Sequence, residues 1–320
     1  MRILFMKKIV KILSILSLLL MMTGCNHEQT EDIYILYTND VASALDNGVS
    51  YAGVKKYKDD LSSQHRYVSL VDAGDFFDGD VGLKSDGKYI VEIMNAVGYD
   101  VVTLGNQEFS IGLNALESCI KESDFTYVSC NLKYIGKGKN PLRSVKDYTI
   151  LNYGGTKIAF IGVTTPETLI PGKLAYEAIT VDGELIYDFY EGDDGHELYN
   201  RVQKIVDKVR KKVDYVIVLA HLGDNSVTEG FSSYDLIQNT TGIDVVIDGH
   251  SHNEISGEAV NNLEGSMVVL TSTGQHLDTL GELAIHTDHT YTTTLYRNDI
   301  DRDSYVQSIV DSIYARLAEQ

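Results

Sequence analysis

Residues 244–252 read DVVIDGHSH, a β-branched apolar run that stops on a glycine and then sets two histidines one residue apart. The run is too short for a helix and rich in residues that suit a pleated strand. Two imidazoles so spaced on a tight turn are poor core residues and good metal donors. The same form recurs along the chain. Residues 215–221 (YVIVLAH) end on His221, 33–40 (IYILYTND) on Asp40, 67–75 (YVSLVDAGD) on Asp75 and 100–106 (DVVTLGN) on Asn106. A single aspartate after a strand is ordinarily a turn residue or a helix cap. Five such groups are another matter, because loops past the carboxyl ends of strands in an α/β sheet converge on one crevice. The pattern therefore predicts one shared site.

Further strand signals lie at 126–130, 267–270, 282–285 and 290–296, with a hairpin of 148–152 and 157–163 turning on Gly154-Gly155. Helical periodicity marks 54–62, 89–96, 113–121 and 196–211. A closing helix over 303–319 sets Val306, Ile309, Val310, Ile313 and Leu317 on one face. Strands alternating with helices predict an α/β protein with largely parallel pairing and leave the number of sheets open. The acidic, aromatic stretch 184–195 (ELIYDFYEGDDG) reads as a solvated loop beside the crevice.

The first residues carry Arg2, Lys7, Lys8 and Lys11, no acid, and then a short apolar run. That is the layout of a secretory leader. Met22-Thr23-Gly24-Cys25 resembles a bacterial lipobox, so the expectation is a signal peptide over 1–24, lipidation of Cys25, a tether over 25–31 and one domain over 32–320. The protein is then extracytoplasmic and membrane-anchored. Cleavage removes four cations and no anion, which moves the formal net charge from −19 to −23. So acidic a chain excludes nucleic acid as a partner. Cys119 and Cys130 are read as two buried thiols rather than a bridge. With 43% hydrophobic residues and three prolines, the composition is globular and leaves no room for a long linker.

Carboxylate, amide and imidazole donors without thiolates suit Mn²⁺, Zn²⁺, Fe or Ca²⁺, and a carboxylate shared by two ions lets both grip one phosphoryl group. The order of these groups, with the words ILYTNDV, LVDAGD, MNAVGYDVVTLGN, FIGVTTPET, YVIVLAHLGDNS and VVIDGHSH, resembles the calcineurin-like metallophosphoesterases in their 5′-nucleotidase / UDP-sugar hydrolase branch. The resemblance spans roughly 32–300. It implies a four-layer α/β/β/α sandwich with metals at the strand ends, and hydrolysis of phosphate esters, nucleotides among them, by water activated on two divalent metals. It makes Asp75 the bridging carboxylate. Asp75, Asn106, His221 and His250 complete one metal site, and Asp40, Asp75 and His252 form the other.

The departures from the family pattern fall together. Ala42 stands where the resemblance expects a histidine ligand, Gln107 where it expects the catalytic histidine, and Ser110 where it expects that histidine's aspartate partner. A glutamine donates hydrogen bonds but neither titrates nor carries charge. The branch's second domain, which stacks the nucleobase, is also expected to be missing. Three readings follow: a surface phosphoesterase, a lipid-anchored pseudoenzyme that binds metal or phosphate without turnover, and an interaction domain in which metal only braces loops.

Overall fold

The computed structural model describes residues 29–297 and 300–319. The expected signal peptide and the lipidation of Cys25 lie outside the described residues. Along β1 (Ile33–Thr38) successive side chains point to opposite faces. Ile33, Ile35 and Tyr37 enter one apolar cluster and Leu36 another. This double-sided burial is repeated by the other central strands and builds the layers.

In chain order β1 is followed by α1 (Ser50–Gln64), β2 (Val68–Asp72), α2 (Asp80–Lys84), α3 (Lys88–Val97), β3 (Val101–Thr103), α4 (Leu113–Glu122), β4 (Thr126–Val128) and β5 (Leu132–Tyr134). Next come β6 (Tyr148–Tyr153), β7 (Thr156–Thr164), α5 (Leu174–Ala178), β8 (Thr180–Val181), β9 (Glu184–Leu185), β10 (Tyr187–Phe189), α6 (His196–Arg210), β11 (Tyr215–His221) and α7 (Ser233–Gln238). The chain closes with β12 (Val245–Ile247), β13 (Glu254–Asn261), β14 (Met267–Thr273), β15 (Leu280–Ile285), β16 (Tyr291–Tyr296) and α8 (Ser304–Ala318).

Two six-stranded sheets result. The first runs β16-β15-β1-β2-β3-β4, with β1 to β4 parallel; the second runs β13-β14-β12-β11-β7-β6, with β14, β12, β11 and β7 parallel. Their inner faces meet through Ile35, Val71, Val101, Phe160, Ile217 and Ile247. Outside the first sheet, Leu36, Leu70 and Val102 pack on Val54, Met94, Leu116 and Ile313 of α1, α3, α4 and α8. Outside the second, Ile161, Val216 and Val246 pack on Val202, Ile205 and Leu236 of α6 and α7. The architecture is the expected α/β/β/α sandwich, and all the expected strands are present.

The differences have physical causes. Within 184–195 only the later part, 190–195, is the expected loop: Tyr187 and Phe189 are buried, and β10 pairs antiparallel with β5. Aromatic side chains there outweigh the acidic ones that suggested solvent. β13 went unread because nearly all its residues are exposed, so its edge position shows no alternation. On α8, Val306, Val310 and Ile313 are buried as expected, whereas Ile309 and Leu317 are only partly so. Cys119 and Cys130 are buried free thiols. Among the described residues no helix is long and apolar enough to cross a membrane.

The sheets pass close to one another at Gly162 on β7. A Cβ there would lie 2.2 Å from the Val128 carbonyl oxygen of the opposite sheet, while Cys130 N–H donates to Gly162 O at 2.7 Å. Replacing Gly162 with valine must push the sheets apart. The expected cost is at least the ~1–3 kcal/mol of an overpacked core, read as a lowered denaturant midpoint. A Gly162→Val variant of unchanged midpoint would contradict this packing.

Candidate metal centre

The carboxyl ends of β1, β2, β3, β11 and β12 face one another across the two sheets. Three candidate donors follow directly on a glycine: Gly74-Asp75, Gly105-Asn106 and Gly249-His250. Space explains each one. A Cβ on Gly74 would sit 2.6 Å from Gly105 N, one on Gly105 would sit 2.2 Å from Asp75 Oδ1, and one on Gly249 would sit 2.9 Å from both Asp40 Oδ2 and His221 Nδ1. Each loop therefore has to pass close against the others. The turns are tight as well: Asp40, Asp75, His250 and His252 have φ of 50°, 61°, 84° and 60°. Non-glycine residues seldom adopt this left-handed region, and such strain persists only where the surroundings over-determine it.

Each central side chain has one polar atom secured by the fold and another left over. Asp40 Oδ2 accepts from the Asn39 amide at 2.8 Å and from His250 N–H at 2.8 Å. Its Oδ1 is buried without a hydrogen-bond partner among the described residues. Asp75 Oδ1 accepts from Gln107 N–H at 2.8 Å, and Oδ2 lies 3.1 Å from His221 Nε2. His221 Nδ1 bonds the Ala73 carbonyl at 2.7 Å, leaving Nε2 buried and outside hydrogen-bond alignment with any described acceptor. His250 Nε2 is held by Glu167 Oε2 at 3.0 Å, so Nδ1 is its remaining donor atom. Asn106 Oδ1 is also buried and unpartnered. His252 Nε2 reaches Asp40 Oδ1 at 3.4 Å from a more exposed position.

Leaving a buried polar atom unpaired costs about 1–3 kcal/mol. Asp40 Oδ1, Asn106 Oδ1 and His221 Nε2 are left in that state, with His221 Nε2 3.9 Å from Asp40 Oδ1, which fits donors held ready for cations. Asp75, His221 and His250 each offer an atom within 4.8 Å of the others. The imidazoles fixed by a carbonyl and a carboxylate match the way metal-ligating histidines are oriented. The donor set thus suits the divalent ions expected from the sequence. Gathered here are Asp40, Asp75, Asn106, His221, His250 and His252, the six metal donors expected from sequence.

The electrostatics agree. Burial opposes the charged form of His221, but the Asp75 and Asp40 carboxylates outweigh it and raise the imidazole to about 10. Asp75 is likewise penalised by burial, and the neighbouring His221 charge holds its carboxyl below the usual range. The proton on His221 stands where positive charge is wanted.

Sequence reading missed the residues that brace these loops. Glu108 accepts from the N–H groups of Asp75, Phe76, Phe77 and Gly105 at 2.6–3.2 Å and so ties two donor loops together. Burial and the Asp75 charge push it up to about 7. Glu167 holds His250 with one oxygen and Thr228 N–H with the other, at 2.9 Å. Asp72 accepts from Thr38 Oγ1 and Gly74 N–H, and Asp248 from Leu222 and Gly223 N–H. Their places at or just past a strand end carry no local sign of what each one braces.

Ser110 Oγ donates to Gln107 Oε1 at 2.8 Å. The two substituted positions still form a pair, now neutral, and the Gln107 carbonyl is spent on it while the amide NH₂ stays available. Gln107 lines a cavity of about 570 Å³ with Asp75, Asn106, His250 and His252. Ala42 is half-buried and donates its N–H to Asp75 O at 2.9 Å. Its side chain has no donor to offer a metal.

Known proteins share this layout. The Calcineurin-like phosphoesterase family model matches residues 20–254. Snake venom 5′-nucleotidase of Crotalus adamanteus is 31% identical over 238 residues, which is 69% of this chain and 37% of that protein. The trifunctional nucleotide phosphoesterase protein YfkN of Bacillus subtilis is 27% identical over 273 residues, 74% of this chain and 17% of that one. The chain thus spans little more than a third of the first of these and less of the second. Among solved structures, a 5′-nucleotidase precursor of Thermus thermophilus superposes with a TM-score of 0.74 at 20% identity, covering 90% of this chain and 59% of that one. The calcineurin-like phosphoesterase YfkN structure from Bacillus subtilis superposes with 0.70 at 21%, covering 90% and 98%. At such identities the structures speak for the fold.

Two outcomes follow from the site. His221 lies above its unfolded value of 6.5, so the metal-free protein has the resulting stability in full below pH 6.5 and loses it as pH rises through about 10. A metal needs the neutral ring, so Mn²⁺ binding should release a proton and tighten about tenfold per unit from about pH 6 to about pH 9. Calorimetry in buffers of different ionisation enthalpy reads this; binding without proton release would contradict it. Glu108→Gln faces two backbone N–H donors with an NH₂ group and should cost about 3 kcal/mol in unfolding free energy while weakening Mn²⁺ binding.

Proposed function

The chain belongs to the calcineurin-like phosphoesterase family, and on that premise we propose that it is a metal-dependent phosphoesterase hydrolysing phosphate esters of the nucleotide class. The observation that supports this most is the trio of buried atoms without a hydrogen-bond partner among the described residues, Asp40 Oδ1, Asn106 Oδ1 and His221 Nε2, with Asn106 also lining the cavity. In this reading Asp75, Asn106, His221 and His250 hold one divalent ion, and Asp40, Asp75 and His252 hold a second. When bound, the ions would supply positive charge to the phosphoryl oxygens and lower the pKa of water. The nucleotide class comes from the named activities of the relatives.

The chain's own groups set the limits. Gln107, oriented by Ser110, donates hydrogen bonds to a phosphoryl oxygen but has no proton to give the departing alkoxide. Acid–base groups of that kind contribute about 10²–10⁴ in rate. Esters whose leaving group departs without a proton are therefore the better substrates. A second reading, a pseudoenzyme that binds metal and phosphate without turnover, is favoured by the neutral Ser110–Gln107 pair and by Ala42.

Hydrolysis of an aryl phosphate monoester and a diester in Mn²⁺ separates the two. The expected result is slow, metal-dependent turnover, lost in Asp75→Asn; the triple variant Ala42→His/Gln107→His/Ser110→Asp should raise hydrolysis of an alkyl phosphate such as a nucleoside monophosphate by about 10²–10⁴, and that of the aryl ester by less. Wild-type rates equal to those of Asp75→Asn would leave the pseudoenzyme. A triple variant that binds two metals and stays inactive would refute the role given to Gln107.

A further inference from the structure

The cavity has two unlike sides. One side, the floor, is the polar group Asp75, Asn106, Gln107, His250 and His252, and the other is an apolar wall of Ile170, Leu174 and Ala175 in one segment, where Thr168 and Lys173 also line the cavity, and Val227 in another. Leu174 is 63% exposed and Val227 86% exposed. Single exposed apolar side chains are ordinary on any surface. Here two come from segments more than fifty residues apart and border the same cavity, which is continuous with the candidate metal centre.

Neither segment hangs free. Thr165 Oγ1 caps the turn Pro166–Leu169 by accepting from Glu167 N–H at 3.2 Å, and Thr168 Oγ1 bonds back to Thr165 O at 2.7 Å. Glu167 then joins both halves of the wall to the floor. One oxygen takes Thr228 N–H, next to Val227, and the other takes His250. A single buried carboxylate thus sets the spacing between the apolar wall and a candidate metal-ligating imidazole.

A volume of about 570 Å³ exceeds what a phosphoryl group needs and lies within the range of sites for small organic ligands. With the phosphoryl group at the polar floor, the ester oxygen's substituent has this wall to rest against. We propose that Ile170, Leu174 and Val227 form the leaving-group subsite, which selects phosphate esters of apolar, ring-bearing alcohols over those of small polar ones. This rests on the phosphoesterase reading above. It assigns recognition of the leaving group to residues beside the metal centre, with Glu167 as the positioning residue.

Equilibrium binding tests the subsite without depending on turnover. The probes are 1-naphthylphosphonate and methylphosphonate, each titrated in Mn²⁺ into the wild type and Leu174→Ser/Val227→Ser. Both replaced side chains are exposed and belong to no core, so the variant retains its fold, which circular dichroism confirms. The wild type should bind the naphthyl probe at least about tenfold more tightly than the methyl one. The variant should lose that preference while its methylphosphonate affinity stays unchanged. If methylphosphonate binds but the naphthyl probe gains nothing, or keeps its gain in the variant, the subsite is wrong and the phosphoesterase reading stands. An equal loss for both probes also overturns the subsite. If neither probe binds the wild type, the phosphoesterase reading falls and the subsite with it.

Discussion

Two carboxylates and an imidazole are packed at the seam between two sheets with too few protein partners to satisfy them all. Asp40 and Asp75 are almost fully buried, and His221 wholly so. Desolvating isolated charges there would cost several kcal/mol each. The arrangement is tolerable because one atom of each group is satisfied by the fold and the other is shared with its neighbours. Much of the surrounding architecture serves this compromise. The glycines let loops approach, the left-handed turns aim the side chains, and Glu108, Asp72 and Asp248 fasten the loops by their backbone N–H groups.

The sandwich makes such a seam possible. Four parallel strands in each sheet end on the same side, and the apolar layer between the sheets brings those ends within reach of one another. The tight approach at Gly162 against Val128 is a packing constraint, yet it bears on chemistry by helping to fix how far the donors on β11 and β12 stand from those on β1 to β3. Stability and site geometry depend on the same interface.

The substitutions at Ala42, Gln107 and Ser110 read differently once placed. Ser110 and Gln107 touch, so they form a contact pair: a hydroxyl–amide hydrogen bond stands where the family pattern expects a carboxylate–imidazole one. What remains is a neutral donor at the edge of the cavity. The Ala42 side chain offers no donor atom, while Asp75, His221 and His250 bring donor atoms within 4.8 Å of one another. The chemistry available to the chain is correspondingly lopsided. Gln107 and Ser110 leave no group titrating near neutral pH at the dyad positions.

Much of this was legible in residue order. Strands such as 215–221 and 244–252 announce themselves by β-branched runs, and their terminal His, Asp and Asn residues mark the strand ends where donors gather, because strand periodicity and residue chemistry are local properties. The chain alone also shows where it departs from the family pattern, at Ala42, Gln107 and Ser110. Glu167, Glu108 and the apolar wall were not legible, and neither were the buried strand 187–189 or the exposed β13. Their roles depend on partners far along the chain: Glu167 on His250 and Thr228, Tyr187 on β5, Leu174 on Val227. Whether an acid is a solvated loop residue or a buried brace is decided by what packs over it, and only the tertiary structure supplies that.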